Sequence, residues 1–254
     1  MVGFFAMIAT PTDIIKLREI GLIVAKTLDF MSKSVRPGMT TLALDQRGED
    51  YLNSLGGRSA PRLMYQFPGA TCICVNHETA HGIPGPRVIR DGDLINIDVS
   101  AEKDGYYSDA GASMCIGEPS KQLSRLLDVG RLALENAIKI VRPGANLNLI
   151  GKAIEDTATR AGYTVIRNLG SHGIGNRLHE EPQFIAGYYD SADRRVLQEN
   201  VVITIEPFIS TGGVKARESG DGWTLSTKPH QKTVQFEHTM VVTADGPLLM
   251  TQLE

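Results

Sequence analysis

Residues 93–109 read DLINIDVSAEKDGYYSD, the pattern of a β-hairpin that carries two carboxylates on one face. The Asp-Gly pair at 104–105 is a strong turn signal between two strand-like runs. A two-residue turn there places Ser100 opposite Asp109, and Asp98 then lies on the same face, diagonal to Asp109. Diagonal neighbours lie roughly 7–8 Å apart at the backbone, so the two side chains can converge on metal ions.

Three more potential metal ligands follow in apolar, strand-like sequence. His172 precedes Gly-Ile-Gly, residues 200–206 predict a strand that ends at Glu206, and residues 234–242 predict a strand that crosses Glu237. Burying four carboxylates and one imidazole costs a large free energy unless positive charge compensates them. Two divalent cations would balance the four negative charges. The sequence therefore predicts a two-metal hydrolase.

An internal repeat indicates how the chain is organised. The tetrapeptide Val-Arg-Pro-Gly occurs at 35–38 and again at 141–144, and each copy lies between two helix-like segments that strands follow. We expect residues 1–254 to form a single catalytic domain of two related halves, roughly 10–118 and 119–250.

The composition fits a globular protein and argues against several partners. Of its 254 residues, 42% are hydrophobic and 22% charged, and the net charge of −3 without a basic run predicts neither DNA nor membrane binding.

Residues 1–9 are apolar but lack a basic flank and are too short for a signal peptide, so we expect a first strand or arm of a cytoplasmic protein. Residues 10–13, Thr-Pro-Thr-Asp, predict the capping box of the first helix. Three cysteines give no disulfide framework, and Cys72, Cys74 and Cys115 are expected to be small buried side chains.

Six short motifs occur in the order AHGIP at 80–84, NIDV at 96–99, HGIG at 172–175, HEEP at 179–182, IEP at 205–207 and FEHT at 236–239. Taken together, these motifs resemble the type I methionine aminopeptidases in their short bacterial form. The resemblance runs from about Thr10 to Met250. It implies the α+β fold often called pita-bread, with two pseudo-symmetric halves, a central curved antiparallel sheet and helices on the outer face.

The resemblance also implies how metal would be held. Asp98 would chelate one ion, Asp109 and Glu237 would bridge two ions, and His172 with Glu206 would complete the second. The expected cofactors are two divalent ions, which activate a water for attack on the scissile carbonyl. Such ligands suit cobalt, manganese, iron(II) or zinc without choosing among them.

Three residues are implied in the chemistry beyond holding metal. Glu206 would also take the proton from the attacking water, His179 would hydrogen-bond the carbonyl oxygen, and His81 would contact the amide nitrogen of the leaving peptide. For Glu180 and Glu181, a loop held by hydrogen bonds and a role in supporting His179 are equally open.

Substrate selectivity is expected from an apolar pocket for the methionine side chain. By the resemblance its walls are Tyr65, Phe67, Cys72, Leu178 and Trp223. The chain departs from the family at Leu178, where phenylalanine is usual, at Ser171, where glycine is common, and at Ala110, where threonine is usual.

The expected function is removal of the initiator methionine from nascent proteins, preferentially before a small second residue. The partners implied are nascent N-termini, with a transient ribosome contact, and the protein is expected to be a monomer. An Xaa-Pro aminopeptidase or prolidase would share the five ligands, but such relatives usually carry a large N-terminal domain, and only ten residues precede the first predicted helix here. Type II methionine enzymes carry a long insertion between the segments of His172 and Glu206, which are 34 apart here. A binding protein that has lost catalysis is the other alternative, and such relatives lose ligands.

Overall fold

The computed structural model describes residues 6–253, which form helices and short antiparallel strands. The helices are α1 (Pro11–Ser34), α2 (Thr41–Ser54), α3 (Ala60–Tyr65), α4 (Lys121–Ile138) and α5 (Leu147–Arg160). The strands are β1 (Arg58–Ser59), β2 (Cys72–Val75), β3 (Glu78–Ala80), β4 (Leu94–Lys103), β5 (Tyr106–Cys115), β6 (Thr164–Val165), β7 (Gly170–Gly173), β8 (Glu180–Ala186), β9 (Val202–Ile205), β10 (Phe208–Ser210), β11 (Arg217–Glu218), β12 (Leu225–Ser226), β13 (Thr233–Gln235), β14 (His238–Thr243) and β15 (Gly246–Leu249).

The N-terminal segment agrees with the sequence where it is described. Residues 1–5 of the predicted first strand or arm lie outside the described residues, and Ile8 forms a single antiparallel bridge with Val201. The predicted capping box is confirmed, because Thr10 Oγ1 accepts from Asp13 N and the Asp13 carboxylate accepts from Thr10 N. No helix within residues 6–253 is both long and apolar enough to cross a lipid bilayer.

Hydrogen bonding divides the strands into four antiparallel sheets. The first has the order β1-β4-β2 with β5 also paired to β4, and the second has the order β15-β14-β9-β7-β8. Two three-stranded sheets, β13-β10-β6 and β11-β12-β3, lie beside them. The expected antiparallel architecture is present, but its backbone ladder is interrupted between sheets.

The β4–β5 hairpin has the predicted register. Ser100 is the partner of Asp109, and Asp98 is the partner of Gly111. Asp98 and Asp109 therefore lie on one face as diagonal neighbours, as the Asp-Gly turn predicted.

Each helix pair packs against one face of a large sheet, and the functional side chains can lie on the opposite face of that sheet. Buried Ile20, Met31 and Leu44 of α1 and α2 belong to one apolar cluster with Ile95 and Ile97 of β4. A second cluster joins α4 and α5 to the strands of the later half. Since side chains alternate along a strand, the neighbours of Ile95 and Ile97 project away from the helices.

The predicted continuous strand across Glu237 is wrong at residues 236–237. β13 pairs with β10 whereas β14 pairs with β9, so the chain changes sheets between them. A similar break at Glu206-Pro207 separates β9 from β10. Both glutamates therefore lie at points where the chain passes from one sheet to another.

Candidate active site

The two large sheets meet along a seam between β5 and residues 237–239. Thr239 Oγ1 accepts from Asp109 N at 2.9 Å and donates to Asp109 O at 2.8 Å, while Glu237 N donates to Gly111 O at 2.9 Å. This seam brings a carboxylate from each half of the chain to the same place.

All five sequence-predicted ligands lie together at the seam. Asp109, His172 and Glu237 are buried, and each offers one ligand atom within 4.8 Å of the others. Asp98 shares a side-chain hydrogen bond with Asp109, and His172 Nε2 lies 3.6 Å from Glu206 Oε1. The carboxylates and the imidazole thus form one continuous cluster.

The cluster is electrostatically strained without a positive charge. Burial raises the pKa of Asp98 to about 6. Burial, followed by the charges of neighbouring carboxylates, raises the pKa values of Asp109, Glu206 and Glu237 well above their ordinary range. Burial, then the nearby His179 ring, lowers the pKa of His172 to about 3. The imidazole is therefore neutral at neutral pH, which leaves it free to act as a ligand.

The donor set fits divalent metal ions. Asp109 Oδ1 and Glu237 Oε1 are buried, and neither has a hydrogen-bond partner within the described residues. His172 Nδ1 lies 2.9 Å from Gly173 O, so a proton on Nδ1 donates to that carbonyl and leaves the Nε2 lone pair directed into the cluster. A bound cation would give a bonding partner to Asp109 Oδ1, Glu237 Oε1 and His172 Nε2.

Hydroxyl groups replace the backbone ladder around His172 and Glu206. β7 and β9 share a single residue pair, and the chain is bulged beside it. Ser171 Oγ accepts from Glu206 N at 2.8 Å, and Thr204 Oγ1 accepts from His172 N at 3.2 Å. The sequence marked Ser171 only as a departure from glycine and gave no signal for Thr204.

Gln235 supports the glutamates through its amide group. Its Nε2 donates to Glu237 Oε2 at 3.0 Å, and its Oε1 accepts from Asn96 Nδ2 at 2.8 Å. A hydrogen bond from the same side chain lowers the pKa of Glu206 against the larger effect of burial. A Cβ at Gly111 would lie 2.1 Å from Gln235 Oε1, so glycine leaves the room that this amide needs. Sequence reasoning missed Gln235, although it stands two residues before Glu237.

A cavity of about 260 Å³ opens onto the cluster. Its walls include all five predicted pocket residues, Tyr65, Phe67, Cys72, Leu178 and Trp223, together with Pro61 and Ser100, which the sequence did not indicate. Phe67 and Trp223 meet edge to face with ring centroids 5.2 Å apart. Asp98, Asp109, His172 and Glu206 form the polar end, so an apolar wall leads directly to the cluster.

A second cavity of about 160 Å³ lies on the other side of the predicted catalytic histidines. His81 and His179 line both cavities, and Gln183, Phe184 and Phe208 help to wall the second. Burial lowers the pKa of His81, and burial followed by the charge of His81 lowers the pKa of His179 to about 4. Both rings are neutral at neutral pH and lie where a chain passing between the cavities would touch them.

The remaining polar residues near these motifs have structural contacts. The Glu180 carboxylate accepts from Met7 N and Asn176 N, which favours the loop-holding interpretation. The Glu181 carboxylate accepts from Gln183 N. His238 makes its hydrogen bond to Thr251 Oγ1 at 2.8 Å, and it does not line either cavity.

The three cysteines are free, but they are not equally buried. Cys72 and Cys74 are buried as expected, and Cys74 Sγ accepts from Gly82 N at 3.3 Å. The expectation is wrong for Cys115, which is only half-buried because it lies at the last position of β5.

The model of metallopeptidase family M24 matches residues 15–244 of the chain. The chain belongs to metallopeptidase family M24. Its relatives include a methionine aminopeptidase of Staphylococcus epidermidis, 47% identical over 98% of this chain and 99% of that protein. Methionine aminopeptidase 2 of Bacillus subtilis is 43% identical over 93% of this chain and 96% of that protein.

Solved structures support the same placement within family M24. A methionine aminopeptidase of Thermotoga maritima superposes with a TM-score of 0.94 at 33% identity and covers 98% of this chain and all of that one (100%). A prolidase of Pyrococcus furiosus superposes with a TM-score of 0.78 at 22% identity. That match spans 98% of this chain and 66% of the prolidase, and it shows a likeness of fold alone. The resemblance to methionine aminopeptidases and the pita-bread fold are thereby confirmed.

Proposed function

We propose that this M24 peptidase is a metal-dependent aminopeptidase that removes the initiator methionine from nascent proteins, preferentially when the second residue is small. The observation that carries the proposal is the buried Asp109, His172 and Glu237 cluster at the end of an apolar cavity. The names of its near-full-length relatives support the same activity.

Two divalent cations would be held by the cluster, with Asp98, Asp109, His172, Glu206 and Glu237 as their protein ligands. Bound cations of this kind lower the pKa of a water molecule and polarise a carbonyl group. Cobalt, manganese, iron(II) and zinc all suit these ligands. Asp109 Oδ1 and Glu237 Oε1, which have no hydrogen-bond partner within the described residues, support this assignment.

Side chains of the protein would bind and orient the substrate and transfer protons. Glu206 lines the cavity beside His172, and its carboxylate would accept the proton of the attacking water. His179 would donate a hydrogen bond to the carbonyl oxygen as negative charge develops there. His81, on the wall shared with the second cavity, would contact the amide nitrogen of the leaving peptide.

The two cavities account for the proposed selectivity. The first, at about 260 Å³ and walled by aromatic and aliphatic side chains, suits the long, flexible methionine side chain. The second, at about 160 Å³, limits the space on the leaving-peptide side, which favours a small second residue. The free α-amine of the substrate would be a further ligand to the bound cations, and an N-formyl group would prevent this because it converts the amine to an amide.

The proposal also includes the location, partners and domain organisation of the enzyme. We place a monomer in the cytoplasm, acting on nascent N-termini with transient ribosome contact and without binding DNA or membrane. We assign residues 1–254 to one catalytic domain in which 10–118 and 119–250 are repeats, and the α1–α2 and α4–α5 pairs ahead of their strands support this. The prolidase and binding-protein alternatives become outcomes of the test.

The test compares matched peptides on metal-stripped protein reloaded separately with manganese, cobalt, iron(II) or zinc. We expect metal-dependent release of methionine from Met-Ala-Ser, with formyl-Met-Ala-Ser and Ala-Pro-Ser left intact. Cleavage of Ala-Pro-Ser instead would assign the chain to the prolidase-like branch. Metal binding without cleavage of any peptide would favour a binding protein.

A further inference from the structure

Tyr65 makes a hydrogen bond that its place in the apolar pocket wall does not require. Its Oη lies 2.6 Å from His179 Nδ1, and the two ring centroids are 5.7 Å apart with the planes at 54°. Tyr65 is the last residue of α3 and is 41% exposed, whereas His179 directly precedes β8. The contact therefore joins the rim of the pocket to the wall that divides the two cavities.

The His179 ring has two contacts, one that restrains the plane of the ring and one that restrains which way its nitrogens face. On one side its centroid lies 4.1 Å from that of the His172 ring, with the planes at 39°. Packing of this kind restrains the plane of a ring but still permits a half-turn about the bond to Cβ, which exchanges each nitrogen with a carbon. Only a hydrogen bond to a particular ring nitrogen, such as the one from Tyr65, distinguishes the two orientations.

The direction of the Tyr65–His179 hydrogen bond sets which nitrogen carries the imidazole proton. A phenol has an ordinary pKa of about 10, so Tyr65 keeps its O–H at neutral pH and can donate it to Nδ1. A neutral imidazole has one N–H, and with Nδ1 accepting from the phenol the proton resides on Nε2. In the opposite arrangement, Nδ1–H donates to the phenol oxygen and Nε2 has no proton to offer to a substrate.

We propose that Tyr65 is a positioning residue that fixes the tautomer and ring orientation of His179, so that Nε2–H is presented to the carbonyl oxygen of the scissile bond. The inference rests on the proposed aminopeptidase function, in which His179 stabilises the developing negative charge. It gives Tyr65 a role in turnover beyond contact with the methionine side chain.

The substitution Tyr65→Phe tests the inference because it removes the hydroxyl and keeps the ring. Tyr107→Phe is the matched control, since the hydrogen bond that the structure gives the Tyr107 hydroxyl is to a weak acceptor, Met64 Sδ, at 3.4 Å. The kinetic readout is kcat and KM on Met-Ala-Ser. The second readout is the ¹⁵N NMR pattern of histidine-labelled, zinc-loaded protein, in which His179 is identified among the six histidines by the loss of its signal in His179→Gln.

For Tyr65→Phe we expect kcat to fall by roughly ten-fold or more, short of the ~10²–10³-fold that complete loss of an oxyanion donor costs. We expect KM to change by less than about two-fold, because uniform binding is not the interaction removed. The His179 nitrogens should move from a pure Nε2–H pattern to a mixture of tautomers, while Tyr107→Phe leaves both readouts unchanged.

Two results would overturn the inference. One is a raised KM with unchanged kcat, which would make Tyr65 a pocket wall alone. The other is an unaltered His179 tautomer in Tyr65→Phe. The NMR readout does not depend on turnover, so failure of the wild-type protein to cleave Met-Ala-Ser would count against the proposed function while the tautomer was still measured.

Discussion

Replacing Ser171 by alanine is expected to destabilise the protein because the hydroxyl is the acceptor for a buried backbone group. Ser171 is 2% exposed, and its Oγ accepts from Glu206 N at 2.8 Å, at the break between β9 and β10. Within residues 6–253, Ser171 Oγ is the acceptor that the structure provides for this N–H. Leaving a buried donor unpaired costs about 1–3 kcal/mol, so we expect the free energy of unfolding to fall by that amount.

Ser108 provides a matched control from the same region. It is also fully buried, but its Oγ has no hydrogen-bond partner within the described residues. Ser108→Ala therefore removes an unsatisfied polar group, and we expect it to change the free energy of unfolding by less than ~0.5 kcal/mol or to raise it.

The assay is urea unfolding of the metal-free proteins at neutral pH, followed by circular dichroism so that the signal does not depend on the pocket. The reasoning predicts a lower midpoint for Ser171→Ala at an unchanged slope, with Ser108→Ala close to wild type. Equal losses in the two variants would show that removal of any buried hydroxyl here has the same cost, and would refute the argument from the Glu206 hydrogen bond.

Three further predictions follow from the site. Metal-free Asp98→Asn should become more stable relative to wild type as the pH rises through roughly 4 to 6. Burial raises the pKa of Asp98 from 3.8 to about 6, so the folded wild-type protein holds a proton on Asp98 in this range and loses stability as that proton dissociates. Parallel pH profiles of the thermal midpoint for the two proteins would contradict this prediction. Leu178→Ala should remove apolar contact from the pocket wall and lower kcat/KM on Met-Ala-Ser by roughly five-fold or more, about 1 kcal/mol, in a peptide assay where an unchanged value would count against Leu178 as a wall. Gly111→Ala should displace the Gln235 amide from Glu237 and weaken zinc binding by roughly ten-fold in calorimetric titration, whereas wild-type affinity would show that the amide does not support the site.

Local signals were sufficient to predict the first half of the site. The Asp-Gly turn fixes the register of β4 and β5, and a fixed register fixes which side chains share a face, so Asp98 and Asp109 were placed together before any fold was known. The start of α1 was predictable for the same reason, because Thr10 and Asp13 satisfy each other within one turn.

The sheet switches could not be predicted, because they depend on pairing between distant segments. Nothing local to Phe236 and Glu237 shows that β13 belongs with β10 and β14 with β9. An apolar, β-branched run predicts a strand, and its partner is decided by the rest of the chain. The pattern therefore indicated one strand where the structure has two.

The supporting hydrogen bonds escaped prediction for a similar reason. Ser171 and Glu206 are 35 residues apart in the chain, and Tyr65 and His179 are 114 apart. A serine or tyrosine gives no periodic signal of its own, and its partner is determined only once both segments are in place. Resemblance to a family identified the residues of the cluster but not the side chains that hold them.

The most direct test of the metal assignment is an anomalous-difference map from crystals of the manganese-loaded protein. The account predicts two peaks about 3.5–4 Å apart, both within bonding distance of Asp109 and Glu237, with Asp98 on one ion and His172 and Glu206 on the other. Peaks elsewhere, or an ordered protein that shows no peak at this cluster, would contradict it.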